Sequence, residues 1–222
     1  MSRLIKNIFL DLDGTLFQSD VDIRNAWMST LTELQIPCPH FDKFFRVGPS
    51  LDTMLHLLFP CIDVETEKKI TSLFKQHYDA SDLPNTIPYP GIDEWLKGLH
   101  THGYTLSTMT NKRLKPTRML LERSNWTDYF DLILGSDSFD IQHPTKSRLL
   151  DAAIKGNCLS PQESVMVGDT AEDIKAGQSA GCRTCVCTWG YGYSAEIARL
   201  HPDMRLDFPS LSCFMNFTEG EV

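Results

Sequence analysis

The chain has 222 residues, 41% of them apolar and 23% charged, with a formal net charge of −8, ordinary figures for a globular protein large enough to bury its own core. An acidic chain with no concentrated basic patch is a poor partner for nucleic acid, and no stretch approaches the roughly 18 apolar residues of a membrane span. The odd count of seven cysteines, outside any short secreted framework, and an N-terminal apolar run too short for a secretion signal point to a reducing, cytoplasmic setting.

Residues 4–11 read as a first strand, with Ile8-Phe9-Leu10 as its buried centre and Gly14 as its punctuation. From residue 18 to 85 the spacing turns helical. Ala26, Leu31 and Leu34 mark one helix broken by Pro37 and Pro39; residues 50–59 mark a second stopped by Pro60; residues 64–78 mark a third with Asp63 as N-cap. Residues 83–91 carry three prolines and read as a linker back to the main body. A strand–helix rhythm follows: helix 91–102, strand 104–109, helix 115–124, a short strand 132–134, helix 146–155, strand 164–167, helix 171–180 and strand 184–187. A weak helix at 195–200 lies in the tail. Alternation of this kind predicts an α/β fold: a doubly wound, mostly parallel, five-stranded Rossmann-like sheet. Its core would comprise residues 1–17 and 86–222, and the helical block 18–85 would be a small inserted domain.

Parallel strands deliver their carboxyl ends to one rim, where open α/β sheets bind ligands. Four polar clusters fall there: Asp11/Asp13, Thr110-Asn111, His143-Pro144-Thr145-Lys146, and Gly168-Asp169 with Asp173. Asp11, Asp169 and Asp173 with a backbone carbonyl would form an all-oxygen cage suited to magnesium. A magnesium ion would offset the acids' repulsion of a phosphate, while Thr110 offers a hydroxyl and Lys146 a cation to its oxygens. A carboxylate aimed into such a clamp can attack phosphorus, and a second acid can move the protons.

The stretch Asp11-Leu12-Asp13-Gly14-Thr15-Leu16-Phe17 resembles the first signature of the haloacid dehalogenase superfamily of phosphohydrolases. Thr110, Lys146 and Gly168-Asp169-Thr170-Ala171-Glu172-Asp173 resemble its remaining signatures, in order, so that the likeness covers nearly the whole chain. The resemblance implies Asp11 as nucleophile and Asp13 as general acid/base. It implies magnesium held by Asp11, the Asp13 carbonyl and Asp169, with Asp173 in support, and Thr110, Asn111 and Lys146 at the phosphate. The helical block looks like the superfamily's small cap, and Arg46, Gly48, Pro49 and Ser50 look like its specificity loop. Thr110-Asn111-Lys112 and Trp189-Gly190-Tyr191-Gly192 resemble the phosphoglycolate phosphatases and their relatives, which implies hydrolysis of a small phosphorylated metabolite through an aspartyl phosphate. Many relatives have Lys-Pro where this chain has His143-Pro144-Thr145-Lys146; Lys146 is the one lysine between Lys115 and Lys155.

Blander readings stand beside these. Asp11 to Gly14 could be a plain turn, Asp169 or Thr110 a helix cap, and Lys146 an exposed helix lysine. Cys182, Cys185 and Cys187 suit a buried strand better than a thiolate metal site. The histidines show no ligand spacing, with His143 the one near the site. Trp27, Trp95 and Trp126 suit packing, although Trp27 could line an entrance, and Tyr191 and Tyr193 suit closing a loop. A sugar phosphomutase would share Asp11 and Asp13, and a non-catalytic binding module could use the same fold.

Overall fold

In the computed structural model, residues 5–142, 144–192 and 194–219 are described. Strand β1 (Asn7–Leu10) is buried at every position, as expected of a strand with neighbours on both edges and layers on both faces. It is followed by β2 (Phe17–Gln18), α1 (Asp20–Glu33), α2 (Phe41–Phe44), α3 (Leu51–Leu58), α4 (Val64–Ala80) and β3 (Ile87–Pro88). Then come α5 (Ile92–Thr101), β4 (Thr105–Thr108), α6 (Leu114–Arg123), α7 (Lys146–Gly156), β5 (Ser164–Gly168) and α8 (Ala171–Ala180). The chain closes with β6 (Arg183–Cys187), α9 (Ala195–Arg199), β7 (Met204–Leu206) and α10 (Leu211–Glu219).

The main sheet has five strands in the order β4-β1-β5-β6-β7 among the described residues. All its pairings are parallel, which agrees with the expected α/β architecture. Its membership differs from expectation in one strand. Residues 132–134 make only an isolated bridge, Ser107 to Leu132, and are held to β4 by the Thr108 hydroxyl, which accepts from Leu134 N–H (2.6 Å) and donates to its carbonyl (2.7 Å). The fifth strand is β7, three residues long, too short for its alternation to show in the sequence. The proline-rich return is likewise not a bare linker: β3 pairs antiparallel with β2, Gln18 opposite Ile87. Both crossings between sheet and helices therefore run side by side. Asp22 of α1 secures them, accepting from Asn85 N–H (2.9 Å), Asn85 Nδ2 (2.8 Å) and Thr86 Oγ1 (2.8 Å).

Helices α1 to α4 have an apolar centre of their own, built from Trp27, Leu31, Phe41, Met54, Leu55, Leu58 and Ile70. Asp63 caps α4 as expected, accepting from the Glu65 and Thr66 N–H groups, and Ser50 caps α3. No side chain of its own caps α1; instead the Tyr191 hydroxyl, from the far end of the chain, accepts from the N–H groups of Ser19 (2.7 Å) and Asp20 (3.2 Å). This puts the helical block over the carboxyl end of the sheet. Trp95 and Trp126 are core residues, and Trp27 is buried yet borders the cavity described below. Cys185 and Cys187 lie fully buried in β6, Cys182 sits just before it, and burial pushes the Cys182 thiol up to about 12; these are packing residues rather than thiolate ligands. No helix among the described residues is long and apolar enough to cross a membrane.

Candidate active site

Asp11 continues β1, its N–H donating to the Val167 carbonyl of β5 (2.9 Å), so its carboxylate emerges at the rim. Gly14 turns the chain at a φ of +86°, and a Cβ there would stand 2.4 Å from Asp169 Oδ2. Only glycine lets this turn press against the second acidic loop. At the end of β5, Gly168 is similarly required: a Cβ would meet Asp173 Cγ at 2.1 Å. The N-cap of α8 is Thr170, which forms a capping box with Asp173. Asp169 is thus not a cap, and its carboxylate is left to face Asp11.

Asp169 Oδ2 accepts from the Tyr191 and Gly192 N–H groups (2.8 and 3.0 Å), and Oδ1 accepts from the Thr15 hydroxyl (3.3 Å). Asp173 spends Oδ2 on Thr170 N–H (2.9 Å) and Oγ1 (2.6 Å) and Oδ1 on Lys146 (2.6 Å). Lys146 opens α7 behind the cap residue Thr145 and is fully buried, its Nζ also 3.1 Å from Asp11 Oδ1. The exposed-lysine reading is excluded. Burial works against its charge, but Asp11, Asp173 and Glu172 outweigh that and raise its pKa above the ordinary lysine value.

Ligand atoms of Asp11, Asp169 and Asp173 lie within 4.8 Å of one another. Burial lifts the Asp11 carboxyl well above its usual range, opposed by Lys146 and reinforced by Asp173 and Asp169. Burial, with Asp173, lifts Asp169 to about 7 despite the two N–H groups it accepts from. When all three are ionised, the buried carboxylates outnumber the one ammonium by two, and Asp11 Oδ2 is buried without a hydrogen-bond partner. The donor set is all oxygen. These residues fit a hard divalent cation.

Asp13 has different company. Its Oδ1 lies 3.0 Å from Nζ of Lys112, a buried side chain. Lys112 donates in turn to the Tyr78 hydroxyl of α4 and rests 4.6 Å from that ring's centroid. Burial disfavours the Lys112 charge, but Asp13 and Tyr78 prevail and raise its pKa; burial pushes the Tyr78 phenol up to about 12. So each acid of the first turn has its own ammonium partner. The sequence offers Lys112, Thr15, Tyr191 and Gly192 only as parts of motifs, without these contacts, and Tyr78 only as the end of a helix. A helical tyrosine and two backbone N–H groups carry no local signal of where they point.

Thr110 is buried, lines the same cavity, and accepts from Lys112 N–H (3.2 Å); α6 begins beyond Arg113, so Thr110 is not its cap. Asn111 is already engaged: its Nδ2 donates to the Gly48 carbonyl and to Glu172 Oε2, both at 2.9 Å. Gly48, at a φ of +108°, packs against Thr170, where a Cβ would come within 2.8 Å of Cγ2. Arg46 is exposed and borders the cavity. His143 and Tyr193 lie outside the described residues. Among the other histidines, His56 lies at the surface of the helical block, where it gathers with Asp52 and Glu67.

These residues converge on one cavity of about 680 Å3 between the rim and the helical block, with Asp11, Asp13, Thr110 and Lys112 at its floor. A second groove, about 850 Å3, runs past β3 and Arg123 and holds none of the rim acids.

Residues 8–187 match the family model of the haloacid dehalogenase-like hydrolases. The chain belongs to that family. A phosphoglycolate phosphatase of Aquifex aeolicus is 32% identical over 91% of this chain and 92% of its own length. That of Aliivibrio fischeri is 30% identical over 91% and 92%. Among solved structures, a haloacid dehalogenase-like hydrolase from Streptococcus pneumoniae superposes with a TM-score of 0.82 at 27% identity, covering 96% of this chain and 98% of the other. A predicted phosphoglycolate phosphatase from Haemophilus somnus superposes with 0.80 at 26%, covering 98% of each. The chain is therefore an enzyme of the hydrolase class, grouped by similarity with the family's phosphatases.

Proposed function

We propose that this hydrolase is a magnesium-dependent, cytoplasmic phosphatase of a small, phosphoglycolate-like phosphomonoester, working through an aspartyl phosphate. The helical block 18–85 would act as a cap on a core of residues 1–17 and 86–222. The observation that carries the reading is Asp11 Oδ2: a buried carboxylate oxygen with no hydrogen-bond partner, on an acid that borders the cavity and belongs to a cluster of three acids around one ammonium.

Asp11, the Asp13 carbonyl and Asp169 would hold the magnesium ion, with Asp173 in support. Bound there, magnesium supplies Lewis-acid neutralisation of a phosphate oxygen. Asp11 attacks phosphorus; a phosphorus–oxygen bond forms as the bond to the leaving oxygen breaks, and Asp13 gives that oxygen its proton. Asp13 then takes a proton from water as the water attacks phosphorus, and the bond to Asp11 breaks to release phosphate. Thr110 and Lys146 meet the phosphate oxygens, Lys146 while also aligning Asp11. We assign Asn111, whose amide is already spent, to holding the Gly48 loop against the acidic loop. Arg46 and Gly48 belong to the specificity side of the cavity.

The test is hydrolysis of p-nitrophenyl phosphate with and without magnesium. Turnover should require magnesium, and Asp11→Asn should lower kcat by on the order of 10^3 or more. Absence of turnover with magnesium, or an Asp11→Asn enzyme of wild-type rate, sinks the reading.

A further inference from the structure

The cavity is far roomier than its floor requires. At about 680 Å3 it falls in the roughly 300–1,000 Å3 range of sites that enclose drug-sized ligands, well beyond a phosphate carrying a two-carbon acid. Its cations divide into two sets. Lys112 is matched by Asp13, Lys146 by Asp11 and Asp173, and Arg113 by Asp79. Lys68, Lys75 and Arg46 also border the cavity, yet none of them has an ion-pair partner among the described residues. Among the described residues the Arg46 guanidinium donates only to the neighbouring Phe45 carbonyl (2.7 Å).

The contrast continues along α4 itself. Lys69, which does not border the cavity, is neutralised by Glu65 at 2.7 Å. Lys68 and Lys75 stand seven residues apart, nearly two full turns, and so share one face. The acids nearby do not serve them: Glu67 and Asp52 gather on His56 instead. With no acid paired to them among the described residues, Lys68, Lys75 and Arg46 give this side of the cavity a positive field that draws an anion. Tyr78, three residues beyond Lys75, touches Lys112 beside Asp13. Along the helix axis Lys75 therefore lies about 4.5 Å, and Lys68 about 15 Å, from the level of Tyr78.

We infer that the leaving group carries a second anionic group, set farther from the phosphate than the carboxylate of glycolate is, and that Lys75, with Lys68 beyond it and Arg46 beside the loop, receives it. This rests on the phosphatase reading above and names the substrate class for that site: a phosphomonoester of an extended acid. A carboxylate held by lysines in a partly closed cavity makes charge-assisted hydrogen bonds that a neutral end of the same length cannot.

The experiment compares kcat/KM for 6-phosphogluconate and sorbitol 6-phosphate, which share a carbon chain and differ in the terminal carboxylate, with phosphoglycolate and p-nitrophenyl phosphate run alongside. The acid should be preferred to its neutral twin by roughly tenfold or more, and to phosphoglycolate. Lys75→Ala should pull that ratio towards one, Lys68→Ala with Lys75→Ala further still, and Lys75→Arg should retain it. A ratio near one in the wild type, a ratio unmoved by the double substitution, or a preference for phosphoglycolate overturns the inference while p-nitrophenyl phosphate turnover leaves the phosphatase reading standing. No turnover of any ester with magnesium removes the phosphatase reading, and this inference with it.

Discussion

The rim of the sheet and the inner face of α4 look into one cavity and are built in opposite ways. At the rim every charge is buried and nearly every oxygen has an assigned donor: Asp173 is saturated by Thr170 and Lys146, Asp169 by Thr15 and two backbone amides. On α4, Lys75 is half-buried, Lys68 exposed, and neither has an ion-pair partner among the described residues. Buried charges must be matched because removing one member strands the other in a medium that cannot solvate it. Solvated lysines carry no such obligation. The difference predicts two jobs: substitutions at the rim should disturb stability and rate together, whereas substitutions of Lys75 and Lys68 should disturb which ester is chosen.

The comparison breaks most sharply at Lys146. Lys146→Met leaves Asp11 and Asp173 without their ammonium, and metal-free unfolding in urea should show a loss of about 3–5 kcal/mol near neutral pH. The loss should shrink at pH 5, where Asp11, whose pKa is raised, takes up a proton instead, and magnesium should recover part of it at neutral pH. A loss below 1 kcal/mol would mean the rim is less tightly coupled than its distances state.

A medium effect lies in the pH dependence of magnesium binding. Asp169 is raised from 3.8 to about 7 and Asp11 is raised as well, so the metal-free folded state holds protons that the unfolded chain has already released. Metal-free stability should accordingly fall as pH rises from about 4 towards about 7, the sign for a carboxylate with an elevated folded pKa. Magnesium needs these groups ionised, so its affinity should climb with pH, about tenfold per unit for each proton displaced, with the Asp169 contribution complete above about 7. Calorimetric titration in two buffers of different ionisation heat counts those protons; pH-independent affinity between 5 and 7 would contradict the buried, proton-holding cluster.

The smallest effect sharpens the α4 side. Lys69→Ala removes a solvent-facing pair with Glu65 (2.7 Å, side chains 60% and 78% exposed). It should change stability by less than about 0.5 kcal/mol and leave the choice between 6-phosphogluconate and sorbitol 6-phosphate untouched, in contrast to Lys75→Ala on the other face. Thermal unfolding and the kcat/KM ratio measure both.

How much of this was readable in advance depended on whether the signal was local. The Ile8-Phe9-Leu10 run, the cap Asp63, and the acid–glycine turns at Gly14 and Gly168 are set by residues within a few positions of one another, and they stand where the sequence placed them. Residues 132–134 were misread as a strand because an apolar triplet has the composition of one, while its backbone groups are satisfied by Thr108 across the edge. β7 and the β2–β3 pair were missed for the converse reason: two or three residues are too few to show a period.

The sequence by itself determined the alternating α/β order, the helical insertion and the positions of the rim acids, because periodicity and turn chemistry act over short spans of chain. Tertiary structure alone decided who stands beside whom. Lys146 finds Asp11 across 135 positions, and Tyr78 reaches Lys112 from a different layer. It also decided which lysines of α4 are neutralised and which are left facing the cavity. Those choices rest on through-space electrostatics in a buried medium, and contacts brought together by folding leave no trace in the order of residues along the chain.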